Sequence, residues 1–135
     1  MKRLALVLVL TAQLMGCGTA PAPACGAGLE AKVVDTLYFG SELPSGGRVS
    51  PADWQRFVDD EVTPRFPEGL TAWPASGQWR GSDGRITREA AFVLTLVHGG
   101  DAKAEAAVAT LSARYKALFG QEAVLRVRSV ACVAF

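Results

Sequence analysis

The hydrophobic pattern predicts an α+β sandwich whose elements run in the order β-α-β-β-α-β. Three observations predict it: four apolar or alternating strand-like segments, two capped stripes at helical spacing, and an Asp-Gly turn joining the middle two strands. The chain has 135 residues, about one domain's worth, and 50% are hydrophobic, which excludes a disordered or low-complexity protein. No internal repeat or interdomain linker is evident in the sequence.

The elements follow in order. Val33 to Phe39 reads as a strand, with Leu37 and Phe39 on one face and Val34, Thr36 and Tyr38 on the other. Gly40 to Gly47 is a loop rich in Gly, Ser and Pro. Ser50-Pro51-Ala52-Asp53 opens a helix with a Ser cap, Pro in the first turn and an early acid. Trp54, Phe57, Val58 and Val62 then recur at helical spacing, and Pro64 stops the helix. Leu70 to Arg80 and Arg85 to His98 flank Ser82-Asp83-Gly84, a hairpin signal. A second helix starts near Asp101, carries Ala104, Ala107, Val108, Leu111, Tyr115, Leu118 and Phe119 on one stripe, and ends at Gly120. Val124 to Val133 is the last strand. This order predicts a ferredoxin-like split βαβ sandwich: a four-stranded antiparallel sheet with two helices on one face.

Ahead of the domain, Met1-Lys2-Arg3 is a basic start followed by an apolar run from Leu4 to Leu10 and Thr11-Ala12-Gln13. About twelve helical residues span roughly 18 Å, well short of the ~30 Å hydrocarbon core, so residues 1–16 read as a signal peptide. Leu14-Met15-Gly16-Cys17 resembles the lipobox of bacterial lipoproteins, although Met15 is bulkier than usual at its place. The resemblance implies diacylation of Cys17 after cleavage before it, and two acyl chains give stable anchoring. An ordinary cleavage site with an incidental Cys is the alternative. Residues 17–31 begin with the uncharged Gly18-Thr19-Ala20-Pro21-Ala22-Pro23-Ala24, an extended tether reaching on the order of 20 Å from a bilayer at about 3.1 Å per residue. The expected location is therefore membrane-anchored and periplasmic. Gly18, where an Asp would retain an enterobacterial lipoprotein in the inner membrane, favours the outer membrane.

Residues 32–135 form the predicted domain. Export permits a disulfide, and with Cys17 lipidated Cys25 and Cys132 are an even pair; two independent thiols are the alternative. In the predicted topology the end of the last strand lies beside the start of the first, which brings these cysteines near each other.

Leu37-Tyr38-Phe39-Gly40, Trp54 to Phe57, Val62 to Thr71, Gly77-Gln78-Trp79-Arg80-Gly81 and the tail from Val124 to Phe135 resemble a family of small bacterial proteins, often lipoproteins. That family is catalogued only as domain of unknown function 3574. The resemblance covers about Val33 to Phe135 and implies no activity and no catalytic residue.

The chemistry is sparse. Without Lys2 and Arg3 the balance is 12 basic against 13 acidic residues, too little positive charge for a nucleic-acid surface. A single histidine, His98, ends a strand before Gly99-Gly100 and reads as a hydrogen-bonded structural residue. The sequence has no nucleophile elbow, P-loop or dinucleotide fingerprint, and no ligand spacing that predicts a metal or cofactor. Asp59-Asp60-Glu61 reads as a solvated face, with Glu61 and Arg65 at the favourable four-residue spacing.

The sheet face without helices is the candidate binding surface. If Leu37, Phe92, Leu94, Leu125 and Val127 face the helices, alternation puts Thr36, Tyr38, Val93, Thr95, Arg126 and Arg128 on the open face. Trp79 and Arg80 are candidates for the same surface, unless Pro74 and Gly77 introduce a bulge. The leading expectation is a non-enzymatic module that binds a small ligand or a protein there, with a second copy of the chain as a candidate partner. A small enzyme of the dimeric α+β-barrel type, using Tyr38, His98 or an arginine, is one alternative, and a structural or assembly factor of the envelope is another.

Overall fold

A computed structural model describes residues 24–135. The expected signal peptide and residues 17–23 of the expected tether, Cys17 included, lie outside the described residues. The elements are β1 (Glu30–Gly40), α1 (Pro51–Phe57) continued by a π-helical segment (Val58–Val62), β2 (Thr71–Arg80), β3 (Ile86–His98), α2 (Ala102–Phe119) and β4 (Leu125–Val133). The sheet order is β2-β3-β1-β4 and all neighbours are antiparallel, the ferredoxin-like arrangement. β1 begins at Glu30, inside the segment expected to be tether.

Local chemistry explains the boundaries. Ser50 and Asp53 form a reciprocal capping box at the start of α1, with Pro51 supplying the fixed φ of its first turn. Asp101 caps α2 through the Ala104 amide, and Gly120 ends it at φ 65°, a left-handed conformation that a side chain would strain. β2 is an edge strand, so Pro74 leaves no ladder donor missing toward a second neighbour, and its pairing with β3 runs unbroken from Thr71 to Arg80 with no bulge. After Phe57 the first helix widens, and the Thr63 amide bonds back to Val58 at 2.9 Å. This segment turns Val62 and Glu61 inward while Asp59 and Asp60 stay exposed.

The helices cover one face of the sheet. Leu37, Phe39, Leu94 and Leu96 meet Trp54, Phe57, Val62, Val108, Leu111 and Tyr115 in the core. Aromatic rings dominate one end: Phe39 lies 4.6 Å from Tyr115, and Trp54 stacks on Phe92 at 4.6 Å. Tyr115 donates its hydroxyl to the Gly40 carbonyl at 2.8 Å, and burial pushes its pKa well above the ordinary tyrosine value. Leu118, expected on the buried stripe, is instead exposed on α2. Cys25 and Cys132 are bonded, with Cα atoms 5.6 Å apart across 107 residues of sequence. A loop of that length contributes about 5 kcal/mol in the chain-entropy account.

Candidate functional site

The inward row of β1 runs Val33, Asp35, Leu37, Phe39, and its one acid is fully buried. Asp35 stands opposite Arg128, and Leu37 opposite Arg126, so both arginines share the helix-side face with them. This corrects the expected β4 alternation: Arg126 and Arg128 face the helices, whereas Leu125 and Val127, paired with Tyr38 and Thr36, are 53% and 48% exposed on the open face. The physical reason is Asp35. A buried carboxylate without cations is prohibitively costly, and β4 supplies two of them.

Each guanidinium grips Asp35 through two nitrogens, at 2.8 and 2.9 Å for Arg126 and 3.0 and 2.9 Å for Arg128. Both also reach Glu105 in the first turn of α2. His98 completes the set with Nε2 at 2.9 Å from Asp35. Its Nδ1 accepts the Gly100 amide at 3.0 Å, so the proton of the neutral ring sits on Nε2 and is donated to Asp35. Burial opposes the charge on Asp35, but the hydrogen bonds from Arg128, Arg126 and His98 outweigh it and hold the carboxyl well below the usual range. Hydrogen bonding from Arg126 likewise lowers Glu105 to about 2. Two acids and two guanidiniums balance, and no buried side-chain nitrogen or oxygen among the described residues lacks a partner. The network is closed.

A second ionic cluster joins the π-helical segment to α2. Glu61 accepts from Arg114 at 2.7 Å and pairs with Arg65 at 3.0 Å. The Glu61–Arg65 spacing therefore operates as expected, but Glu61 is buried rather than on a solvated face.

The open face is different. Tyr38, Trp73 and Trp79 expose 40%, 43% and 48% of their surface there. Val93, at the centre, is only 1% exposed, with Tyr38 and Trp73 directly opposite it on the flanking strands. Pairing of two copies through this face would bury none of the β4 arginines.

The β2–β3 hairpin outruns its neighbour: β1 ends opposite Ala91, and residues 86–90 of β3 pair with β2 alone. Two polar contacts draw the overhang back across the end of β1. Glu89 accepts the Ser41 and Glu42 amides, both at 2.9 Å. At the tip, Ser82 donates its amide and hydroxyl to Glu122, in the loop before β4, at 3.3 and 3.1 Å. Between overhang and sheet lies a cleft of about 570 Å³ with Tyr38, Ala75, Trp79, Ala91 and Leu125 among its walls. That volume lies in the range of small-molecule sites.

Of the sequence-derived candidates, Tyr38 and Trp79 come together along this cleft. Arg80 does not line it, since it alternates away from Trp79, and Arg126 and Arg128 lie behind the sheet. His98 belongs to the Asp35 network, so it shares no site with Tyr38. Among the described residues no group of three His, Cys, Asp or Glu side chains is placed to hold a metal ion. No helix among them is long and apolar enough to cross a membrane.

The family described as Protein of unknown function (DUF3574) matches residues 34–135. No curated protein matches the chain. Among solved structures, a phage SAM lyase in complex with S-methyl-5'-thioadenosine is similar at a TM-score of 0.59 and 14% identity, over 86% of this chain and 97% of that one. A phage SAM lyase in the apo state is similar at 0.56 and 13% identity, over 78% and 90%. At such identity the likeness is one of fold.

Proposed function

The chain belongs to the DUF3574 family, whose name assigns no activity, and we propose from the geometry of its open face that it is a non-enzymatic binding module tethered to the bacterial envelope through Cys17. Its ligand is a small molecule with an apolar body, seated in the cleft between the β2–β3 overhang and the end of β1. The observation that carries this reading is the cleft itself: exposed Tyr38, Trp79 and Leu125 walls in a cavity of about 570 Å³. Apolar and aromatic walls with polar groups placed among them are the common construction of small-ligand sites, and here Gln78, Glu89 and Gln121 stand beside Tyr38, Trp79 and Leu125. The separation of Tyr38 from His98, Arg126 and Arg128 by the thickness of the sheet supports binding over the catalytic alternative, which needs acid, base and electrophile within hydrogen-bond reach.

Native mass spectrometry of the full chain, extracted from its host membrane in nonionic detergent, tests the proposal. A retained small molecule is expected, and Ala75→Trp, which fills the cleft, should abolish its retention. Equal retention by that variant would overturn the assignment of the cleft. Consumption of added SAM, the compound named for the structural neighbour's activity, would turn the reading toward an enzyme.

A further inference from the structure

The cleft has a sign. Glu42, Asp83, Glu89 and Glu122 line it together with Tyr38 and Trp79, and no lysine, arginine or histidine does. Two of these acids are engaged by cations: Glu42 by Arg48 at 2.9 Å, and Asp83 by Arg85 at 3.9 Å on the exposed turn. The other two differ. Glu89 is bonded to backbone amides and Glu122 to Ser82, and among the described residues neither is in an ion pair. Arg48 and Arg88 line an adjoining depression that shares Ser76, Gly77, Gln78 and Glu89 with the cleft, and neither arginine is in an ion pair with Glu89. Among the described residues the two buried acids are matched, Asp35 by two guanidiniums and Glu61 by two, whereas half-buried Glu89 and exposed Glu122 have no cation.

From this contrast we infer that the cleft selects an organic cation: an ammonium or comparable onium group carried on an apolar or aromatic body. The inference rests on the binding-module reading above and supplies its ligand class. Three physical effects act together. A concave site with low-dielectric walls and charge of one sign focuses its field and concentrates counter-ions. The faces of exposed Tyr and Trp rings attract cations, Trp most strongly. The apolar floor formed by Ala75, Ala91 and Leu125 takes up the body of the ligand and disfavours a small hydrated ion. A metal ion would instead require several ligands converging on one point, and among the described residues no three His, Cys, Asp or Glu side chains do so.

The test uses three soluble probes of similar size: benzyltrimethylammonium, benzyl alcohol and benzenesulfonate. Each is titrated into the full chain in a neutral maltoside micelle at low salt, with binding read from Trp fluorescence and from backbone amide shifts. The ammonium probe is expected to bind roughly tenfold tighter than the other two, with shifts at residues 75–79 and 89–91. Its advantage should shrink as salt rises. Glu122→Gln should weaken the ammonium probe about threefold and leave benzyl alcohol unchanged. Trp79→Phe should retain more affinity than Trp79→Ala, because a ring face remains; this pair keeps the test independent of the acidic residues. Equal or tighter binding of the alcohol or the sulfonate in the cleft would overturn the cation class and leave the small-molecule site standing. Shifts confined to other surfaces for all three probes would overturn both.

Discussion

On the helix side of the sheet, Asp35 receives five hydrogen bonds from Arg126, Arg128 and His98; on the open side, Glu89 and Glu122 receive theirs from backbone amides and a serine. Asp35 is fully buried, Glu89 half-buried and Glu122 exposed, and only Asp35 is charge-balanced. A buried acid with matched cations adds rigidity and fixes register, and it offers no free valence to a ligand. An acid at a cleft, bonded only to neutral donors, keeps its field directed outward. The ion pairs belong to the architecture, and the unbalanced acids belong to recognition.

Asp35 carries the largest expected effect. Asp35→Asn keeps the shape but turns an amide NH₂ toward two guanidiniums and leaves Arg126 and Arg128 with Glu105 alone. Removing one partner of a buried ionic set costs about 3–5 kcal/mol. Urea denaturation should show a loss of that order. A loss below about 1 kcal/mol would mean that the network is not what holds β4 in its register.

The second effect is acid sensitivity. Hydrogen bonds and charges from arginines hold Asp35, Glu61 and Glu105 below their ordinary pKa values, with Glu105 at about 2. A carboxyl depressed in the folded state binds fewer protons there than in the unfolded chain. Its stabilisation is complete above the unfolded value of about 4 and is lost as pH falls toward the folded one. Thermal midpoints should therefore decline from about pH 5 downward, and the decline should be shallower in Asp35→Asn. Parallel curves for the two proteins would remove Asp35 from the acid response. Since Glu105 is half-exposed, solvent screening limits its share.

Element by element, the fold was legible because each boundary has a local chemical cause. Ser50-Pro51 and Asp101 cap the helices, Gly120 takes the left-handed conformation, and Asp83-Gly84 turns the hairpin, with Gly84 at φ 80°. The faces of β4 were not legible from its own alternation. Leu125-Arg126-Val127-Arg128 reads as apolar-in and Arg-out, and the structure reverses it. The signal lay on another strand: Asp35 shares the parity of Leu37 and Phe39, and an acid in an inward row calls for cations on the same face. Nothing local in the sequence indicates the cleft. It arises because the β2–β3 hairpin overruns β1 and is drawn back by Glu89 and Glu122, which lie 47 or 48 and 40 positions from their respective partners. Long-range polar contacts of this kind have no periodicity to read.

The smallest effect is expected at Glu122. Glu122→Gln retains a carbonyl oxygen that can accept from Ser82, and it removes one of the four negative charges lining the cleft. The Ser82–Glu122 contact is exposed, so its contribution to folding is small. Stability should change by no more than about 0.5 kcal/mol in either direction, in contrast to the several kcal/mol expected at Asp35. A loss above about 1.5 kcal/mol would place Glu122 with the structural ion network, as the strap that holds the hairpin over the end of β1. An unchanged fold would leave its charge free to act on whatever enters the cleft, and the asymmetry between the two faces of the sheet would then be a functional one.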